Sequence, residues 1–358
     1  MIRLSALVSL LLVALGGAWP LPASERPAAE APDGLILWPK ELPVYKHVVI
    51  VVEENKDFEQ IIDEQPTEDA ESKAPFINNT LRKEGALFTR MFGEEHHSQG
   101  NYFWLFSGGN HGVGFNDVVP DVKIKRAPNL ATSLLNKGKT FAGYSEDLPE
   151  NGSEVLVAPP DGKKEGRAYA RKHVPWISFD DVPKECNLTF KEFPTKAKGF
   201  ESLPTVAFVI PNLKNDMHDS DTLDEADVKK SIRDGDTWLK NKLGDYYAWA
   251  KMNNSLLIVT WDENDDRSAE VGLTDPGVKV DGENKKERRS QKDRQNRVCT
   301  IFAGARIKPG EYKEGNGITH VNILRTLEAM HGLSRAGAQQ PNATKAGITE
   351  DPIKDVFK

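Results

Sequence analysis

The chain has 358 residues, with 47 Lys and Arg against 54 Asp and Glu, a formal net charge of -7 and two cysteines. That balance, with a sequence pI near 5.7, excludes the basic footprint of a nucleic-acid-binding protein. Neither cysteine lies in a metal-ligand spacing, and the length allows one large α/β domain or two small ones.

At the amino end, Arg3 precedes an apolar run from Leu4 to Ala18, followed by small residues around Ala18 and Ala23. This is the pattern of a secretory signal peptide over residues 1–23. A membrane anchor is the alternative, but the run is short of the roughly 20 apolar residues a span requires. A linker with a Pro/Ala-rich stretch from Pro27 to Pro32 follows over 24–45, and a single domain is expected over 46–358. The expected location is secreted or periplasmic, with no stable membrane insertion.

The run Lys46-His47-Val48-Val49-Ile50-Val51-Val52 is β-branched and continuous, as in a strand buried on both faces of a parallel sheet. It runs directly into Glu53-Glu54-Asn55, and ligands in open α/β sheets bind beyond the carboxyl ends of strands. A carboxylate plus an amide oxygen there suits a divalent cation; a solvated acidic turn is the other reading. Next comes His96-His97-Ser98-Gln99-Gly100-Asn101-Tyr102, followed by an apolar stretch ending in Ser107-Gly108-Gly109. A helix starting near Gly100 or Asn101 sets Ser98 at an N-terminus, where free N–H groups and the dipole favour an anion. Ser98 is then either a nucleophile or an N-cap.

Leu130 to Leu135 reads as a helix closed by Gly138, and Thr140 to Tyr144 as a strand. The strand-like run Thr205 to Ile210 leads into Pro211-Asn212-Leu213-Lys214-Asn215-Asp216-Met217-His218-Asp219, a loop in which two carboxylates flank a His. Thr222 and Glu225 form a capping-box signal for a helix over much of Leu223–Leu243, which Gly235 weakens. Leu256 to Trp261 ends in Asp262-Glu263-Asn264, the third strand end to carry ligand-type residues. A strongly charged stretch near 281–296 reads as a solvated inserted loop, with attraction of anionic substrate as a second role. The helical spacing of Val321, Leu324, Leu327 and Met330 sets His320 at a helix start, as a cap or as an anion contact. Alternating strands and helices predict an α/β fold: a mostly parallel central sheet with helices on both faces.

Together these segments resemble the phosphoesterase family of secreted acid phosphatases and phospholipases C, a branch of the alkaline phosphatase superfamily. The resemblance runs from about Lys46 to Leu333. It is carried by Glu54-Asn55, the His96–Tyr102 stretch, the Pro211–Asp219 loop, Thr260-Trp261-Asp262-Glu263 and the closing helix with His320. It implies an alkaline phosphatase-like fold and a phosphomonoesterase of the acid phosphatase type. It further implies that Ser98 is the nucleophile, Asn101 a phosphate-oxygen ligand, and His96, His218 and His320 site histidines. Glu54, Asn55, Ser98, Asp262 and Glu263 would hold one divalent ion, which could be Ca, Mg, Mn or Zn. The expected partner is a small phosphorylated substrate. Two family prolines are replaced by His97 and Gly100. The Asp-His-Val of the phospholipase C members is absent, which turns the likeness toward the acid phosphatases. A phospholipase C-type phosphodiesterase, a phosphoinositide phosphatase and a non-catalytic binding protein are the other readings. Secretion would make Cys186 and Cys299 a disulfide; the alternative is two buried thiols.

Overall fold

The strands form because β-branched and aromatic residues cluster in short runs, and their order in space sets every later contact. The structure, a computed structural model, describes residues 38, 42–65, 68–114, 117–159, 168–218, 225–265 and 296–358. The expected signal peptide, most of the linker, Asp219, the Thr222 cap and nearly all of the charged loop lie outside them. Strands are β1 (His47–Glu53), β2 (Ala86–Phe92), β3 (Phe141–Ser145), β4 (Val157–Ala158), β5 (Tyr169–Ala170), β6 (Asn187–Thr189), β7 (Val206–Ile210), β8 (Ser255–Trp261), β9 (Arg297–Gly304), β10 (Gly310–Tyr312) and β11 (Ile318–Thr319).

The main sheet runs β10-β2-β9-β8-β1-β7-β3-β6, with β11 beside β2, while β4 and β5 pair separately. In the main sheet only β9 runs against its neighbours; β1 is parallel to both β7 and β8. Val48 to Val52 and Leu256 to Trp261 are at most 1% exposed. Successive side chains point to opposite faces, so both faces of the central strands are covered. The expected α/β fold with a mostly parallel sheet is present.

Four helices bear on the site: α1 (Ser98–Ser107), α2 (Leu130–Asn136), α3 (Glu225–Ala250) and α4 (His320–His331). α1 is buried along its whole length and stops at Gly108, which has a left-handed φ of 67°, as its Gly pair predicts. α2 is capped by Asn129, whose side chain accepts from the Thr132 N–H at 2.9 Å. Gly235 does not break α3. A Cβ there would stand 2.4 Å from Met217 Cγ and 2.8 Å from the Asn215 carbonyl oxygen. The glycine lets the helix lie against the loop that carries His218.

The topology also corrects the disulfide. Cys299 lies in β9 and Cys186 directly ahead of β6, five strand steps away in the sheet order. At about 4.8 Å per step the two are roughly 24 Å apart, whereas a disulfide needs Cα atoms within about 7 Å. Both are buried free thiols.

Candidate active site

Because β1, β7 and β8 are parallel, their carboxyl ends meet at one edge of the sheet, and β9 starts there. Glu53 pairs in register with Trp261, so Glu54 and Asp262 emerge side by side. Asn55 takes φ +38, a region Asn tolerates better than most residues, and its N–H donates to Asp262 Oδ1 at 3.1 Å. Ser98 opens α1 above this pair. Its Oγ lies 3.1 Å from Glu54 Oε2 and 3.0 Å from Glu263 Oε1, so its single proton has two carboxylates to go to.

The other oxygen of each carboxylate is also held. Glu54 Oε1 accepts from the Tyr102 hydroxyl at 2.7 Å, and Glu263 Oε2 bonds His96 Nδ1. One end of the Asn55 amide stands 3.2 Å from Glu54 Oε2 and 3.1 Å from Glu263 Oε1, and the other end 3.2 Å from His218 Nε2. The residues expected to hold metal, together with Ser98, His96 and His218, therefore converge. Asp216 Oδ1 accepts from the His218 backbone N–H at 3.0 Å, which shapes the turn.

Two residues expected at the phosphate are bonded to protein groups. The Asn101 amide is engaged with the backbone of the turn before it. Its Oδ1 accepts from the N–H groups of Glu94 and Glu95 at 2.9 and 3.0 Å, and its Nδ2 donates to the Glu95 carbonyl at 2.6 Å. Buried backbone donors need acceptors, and Asn101 supplies one to the turn ahead of Ser98. His320 starts α4 as expected, yet it is 1% exposed and both ring nitrogens are engaged. They meet Glu94 Oε2 at 2.5 Å and the Trp261 carbonyl at 2.8 Å. Through these two contacts His320 ties α4 to the turn before Ser98 and to the end of β8.

The departure at Gly100 has a steric reason. A Cβ there would lie 1.8 Å from Glu95 Oε1, because the Glu95 carboxylate crosses this point to reach Asn110 Nδ2 at 2.9 Å. His97 is exposed and precedes α1 without a side-chain capping bond.

Strand-end reading missed a second wall, the 3-10 turn Arg171–His173. His173 stacks on Tyr102 with ring centroids 5.0 Å apart, and its Nε2 is 3.1 Å from Glu54 Oε1. Lys172 Nζ bonds Asp117 Oδ2 at 2.6 Å, and Asp117 Oδ1 accepts from the Gln99 N–H in the first turn of α1 at 3.1 Å. The sequence signal was a basic triplet, Arg171-Lys172-His173, ahead of Val174-Pro175-Trp176, attached to no long strand.

Burial dominates the electrostatics. It raises Glu54 to about 7, against Lys172 and the Tyr102 hydroxyl, with Glu263 adding like charge. Burial, then Glu54 and Glu263, push Asp262 well above its ordinary value. Burial also drives His173 far below the usual imidazole range, helped by Lys172 and His218. For Lys172, burial works to lower the pKa, but Glu54, Asp117 and Asp262 outweigh it and the ammonium is strengthened.

Three buried carboxylates close together, and an Asp262 Oδ2 with no hydrogen-bond partner among the described residues, call for positive charge. Among the described residues no three His, Cys, Asp or Glu side chains form a ready cage for a metal ion. The donor set here is mixed, with Ser98 and the Asn55 amide completing it, and oxygen donors of this kind fit a hard divalent cation. A cavity of about 560 Å³ at the end of β3, lined by Glu146, Phe193 and Lys242 among others, includes none of this cluster.

Ser98 and the carboxylates of two strand ends thus form one buried polar cluster. The chain matches the Phosphoesterase family over residues 67–334 and belongs to it; it is a hydrolase acting on phosphate ester bonds. Among its relatives, a phosphatidylinositol-3-phosphatase of Mycobacterium tuberculosis is 42% identical over 316 residues, 88% of this chain and 84% of the relative. A phosphate-repressible acid phosphatase of Penicillium chrysogenum is 28% identical, over 72% of this chain and 54% of the relative. An acid phosphatase of Aspergillus fumigatus is 24% identical, over 72% and 51%; the chain spans about half the length of these fungal relatives. A solved protein in the alkaline phosphatase superfamily from Vibrio parahaemolyticus aligns with a TM-score of 0.47 at 10% identity, over 82% of this chain and 69% of that one. A putative sulfatase from Bacteroides thetaiotaomicron aligns at 0.49 and 11%, over 88% and 76%. Likeness at that level says nothing about activity.

Proposed function

We propose that the chain is an exported, metal-dependent phosphomonoesterase that works through a phosphoserine on Ser98, with phosphoinositides as its substrate class. The observation that carries the chemistry is the Ser98 hydroxyl within 3.1 Å of carboxylates from two different strand ends. The substrate class is supported by the 42% identical phosphatidylinositol-3-phosphatase, and export by the apolar, small-residue pattern of residues 1–23. Among the described residues no helix is long and apolar enough to cross a membrane.

Glu54, Asn55, Asp262, Glu263 and the Ser98 oxygen would hold a divalent cation, which when bound supplies positive charge that acidifies the hydroxyl and neutralises the phosphate. Ser98 Oγ bonds phosphorus as the ester P–O bond breaks, and its proton passes to Glu54 or Glu263. His218, half-buried beside Asn55, gives the departing oxygen its proton. Water then attacks the phosphoserine, phosphate leaves, and Ser98 regains a proton. Tyr102 and His96 hold the two carboxylates in place, and Lys172 adds charge that attracts the substrate.

Ser98→Ala is expected to lower p-nitrophenyl phosphate turnover by about a thousandfold or more, and prolonged dialysis against chelator should do the same to the parent. Turnover that survives the substitution would falsify the nucleophile assignment.

A further inference from the structure

Among the described residues five large apolar side chains are more than half exposed: Val44, Val118, Val122, Leu156 and Met252. Singly exposed apolar residues are ordinary, so their placement is what counts. Val44 and Met252 precede β1 and β8 and belong to the edge away from the site. The other three are joined to the site by short bonds. Val118 follows Asp117, which holds Lys172 and the first turn of α1. The Leu156 carbonyl accepts from the Arg171 N–H at 2.8 Å, next to Lys172 in the 3-10 turn. Lys123 bonds Glu154 at 2.7 Å, which ties the Val118–Val122 loop to the Leu156 segment. The apolar residues therefore stand on exposed segments bonded to the Asp117 and Arg171–His173 wall of the Ser98 site.

The same loop is basic in a chain of net charge -7. Residues 118–126 hold Lys123, Lys125 and Arg126 against Asp121, and Lys125 and Arg126 are exposed. Apolar side chains interleaved with cations are the chemistry of a segment that beds into the headgroup region of an anionic bilayer. We infer that these segments form a membrane-docking surface: Val118, Val122 and Leu156 enter the lipid interface, and Lys125 and Arg126 meet anionic headgroups. Docking there brings lipid-borne phosphate to the side of the molecule that carries Asp117 and Lys172. The inference rests on the phosphoinositide reading above and adds to it how the substrate is presented.

The test is flotation of the full chain with phosphatidylcholine vesicles, with and without phosphatidylserine, so that binding is read without turnover. The parent should float with the anionic vesicles, and less so in high salt. Val118→Asp/Val122→Asp/Leu156→Asp should weaken binding roughly tenfold or more, and Lys125→Glu/Arg126→Glu should remove its salt dependence. Both variants should turn over p-nitrophenyl phosphate and a short-chain, water-soluble phosphoinositide as the parent does, while losing activity on the same headgroup in vesicles. A parent that stays off anionic vesicles, or a triple variant that floats like the parent, overturns the docking surface. Vesicle binding with no turnover of any phosphoinositide would instead overturn the substrate reading and leave the surface standing.

Discussion

Lys172 lies in a turn far from Ser98 in sequence; its Nζ bonds Asp117, and it acts on Glu54 and Asp262 by charge. A charge-assisted hydrogen bond contributes about 1.5–3 kcal/mol, so Lys172→Met should raise KM for p-nitrophenyl phosphate by about tenfold or more with a smaller change in kcat. Lys172→Arg should recover much of that KM. Steady-state kinetics of the pair decides it, and an unchanged KM removes Lys172 from substrate binding. His331 makes a separate prediction. Among the described residues neither of its ring nitrogens has a hydrogen-bond partner, and burial lowers its pKa from 6.5 to about 4. The folded chain keeps the ring neutral, whereas the unfolded chain protonates it near 6.5. This contribution to stability is complete above that pH and is lost as pH falls toward 4, by on the order of 3 kcal/mol. His331→Leu should therefore show a smaller fall in Tm between neutral pH and pH 4.5 than the parent. An equal fall would rule out His331 as a source of acid sensitivity.

At the scale of elements, α3 and the loop after β7 are fitted to each other through Gly235. In an isolated helix, Gly→Ala stabilises by up to about 1 kcal/mol. Here the added methyl meets Met217 Cγ and the Asn215 carbonyl, and overpacking of this kind costs about 1–3 kcal/mol. The backbone carbonyl cannot swing aside, so the packing term wins. Gly235→Ala should lower Tm and, by displacing the loop, reduce turnover; a thermal melt showing a higher Tm would mean the loop yields freely. Met217 already has φ +74, a strained value for a residue with a side chain, and it is 0% exposed beneath the helix. The helix holds that turn and with it the place of His218.

Across the whole molecule, the sheet order keeps the cysteines apart. The chain should present two reactive thiols in denaturant without any reductant, and its melting temperature should be the same with and without a reducing agent. Thiol titration that finds none would require a different strand order. The same order gathers Glu54, Asp262, Glu263 and His218 at one edge, since parallel strands deliver their carboxyl ends together.

The sequence by itself determined the central strands β1, β3, β7 and β8 and the starts of α2 and α4, and it marked Ser98 as the candidate nucleophile. These rest on local patterns: β-branched runs, 3.6-residue spacing, and polar residues at the ends of apolar segments. It also marked Glu54, Asn55, Asp262 and Glu263, because a carboxylate directly after a buried strand has few places to go but the sheet edge. Only the tertiary structure decided what each polar group touches. Asn101 and His320 look like phosphate ligands in a linear reading, yet nearby backbone donors and Glu94 claim them. Lys172, His173 and Asp117 carry no strand-end mark and reach the site through a turn and a loop. The disulfide was a matter of distance, and distance is set by the order of strands, which local pattern does not encode.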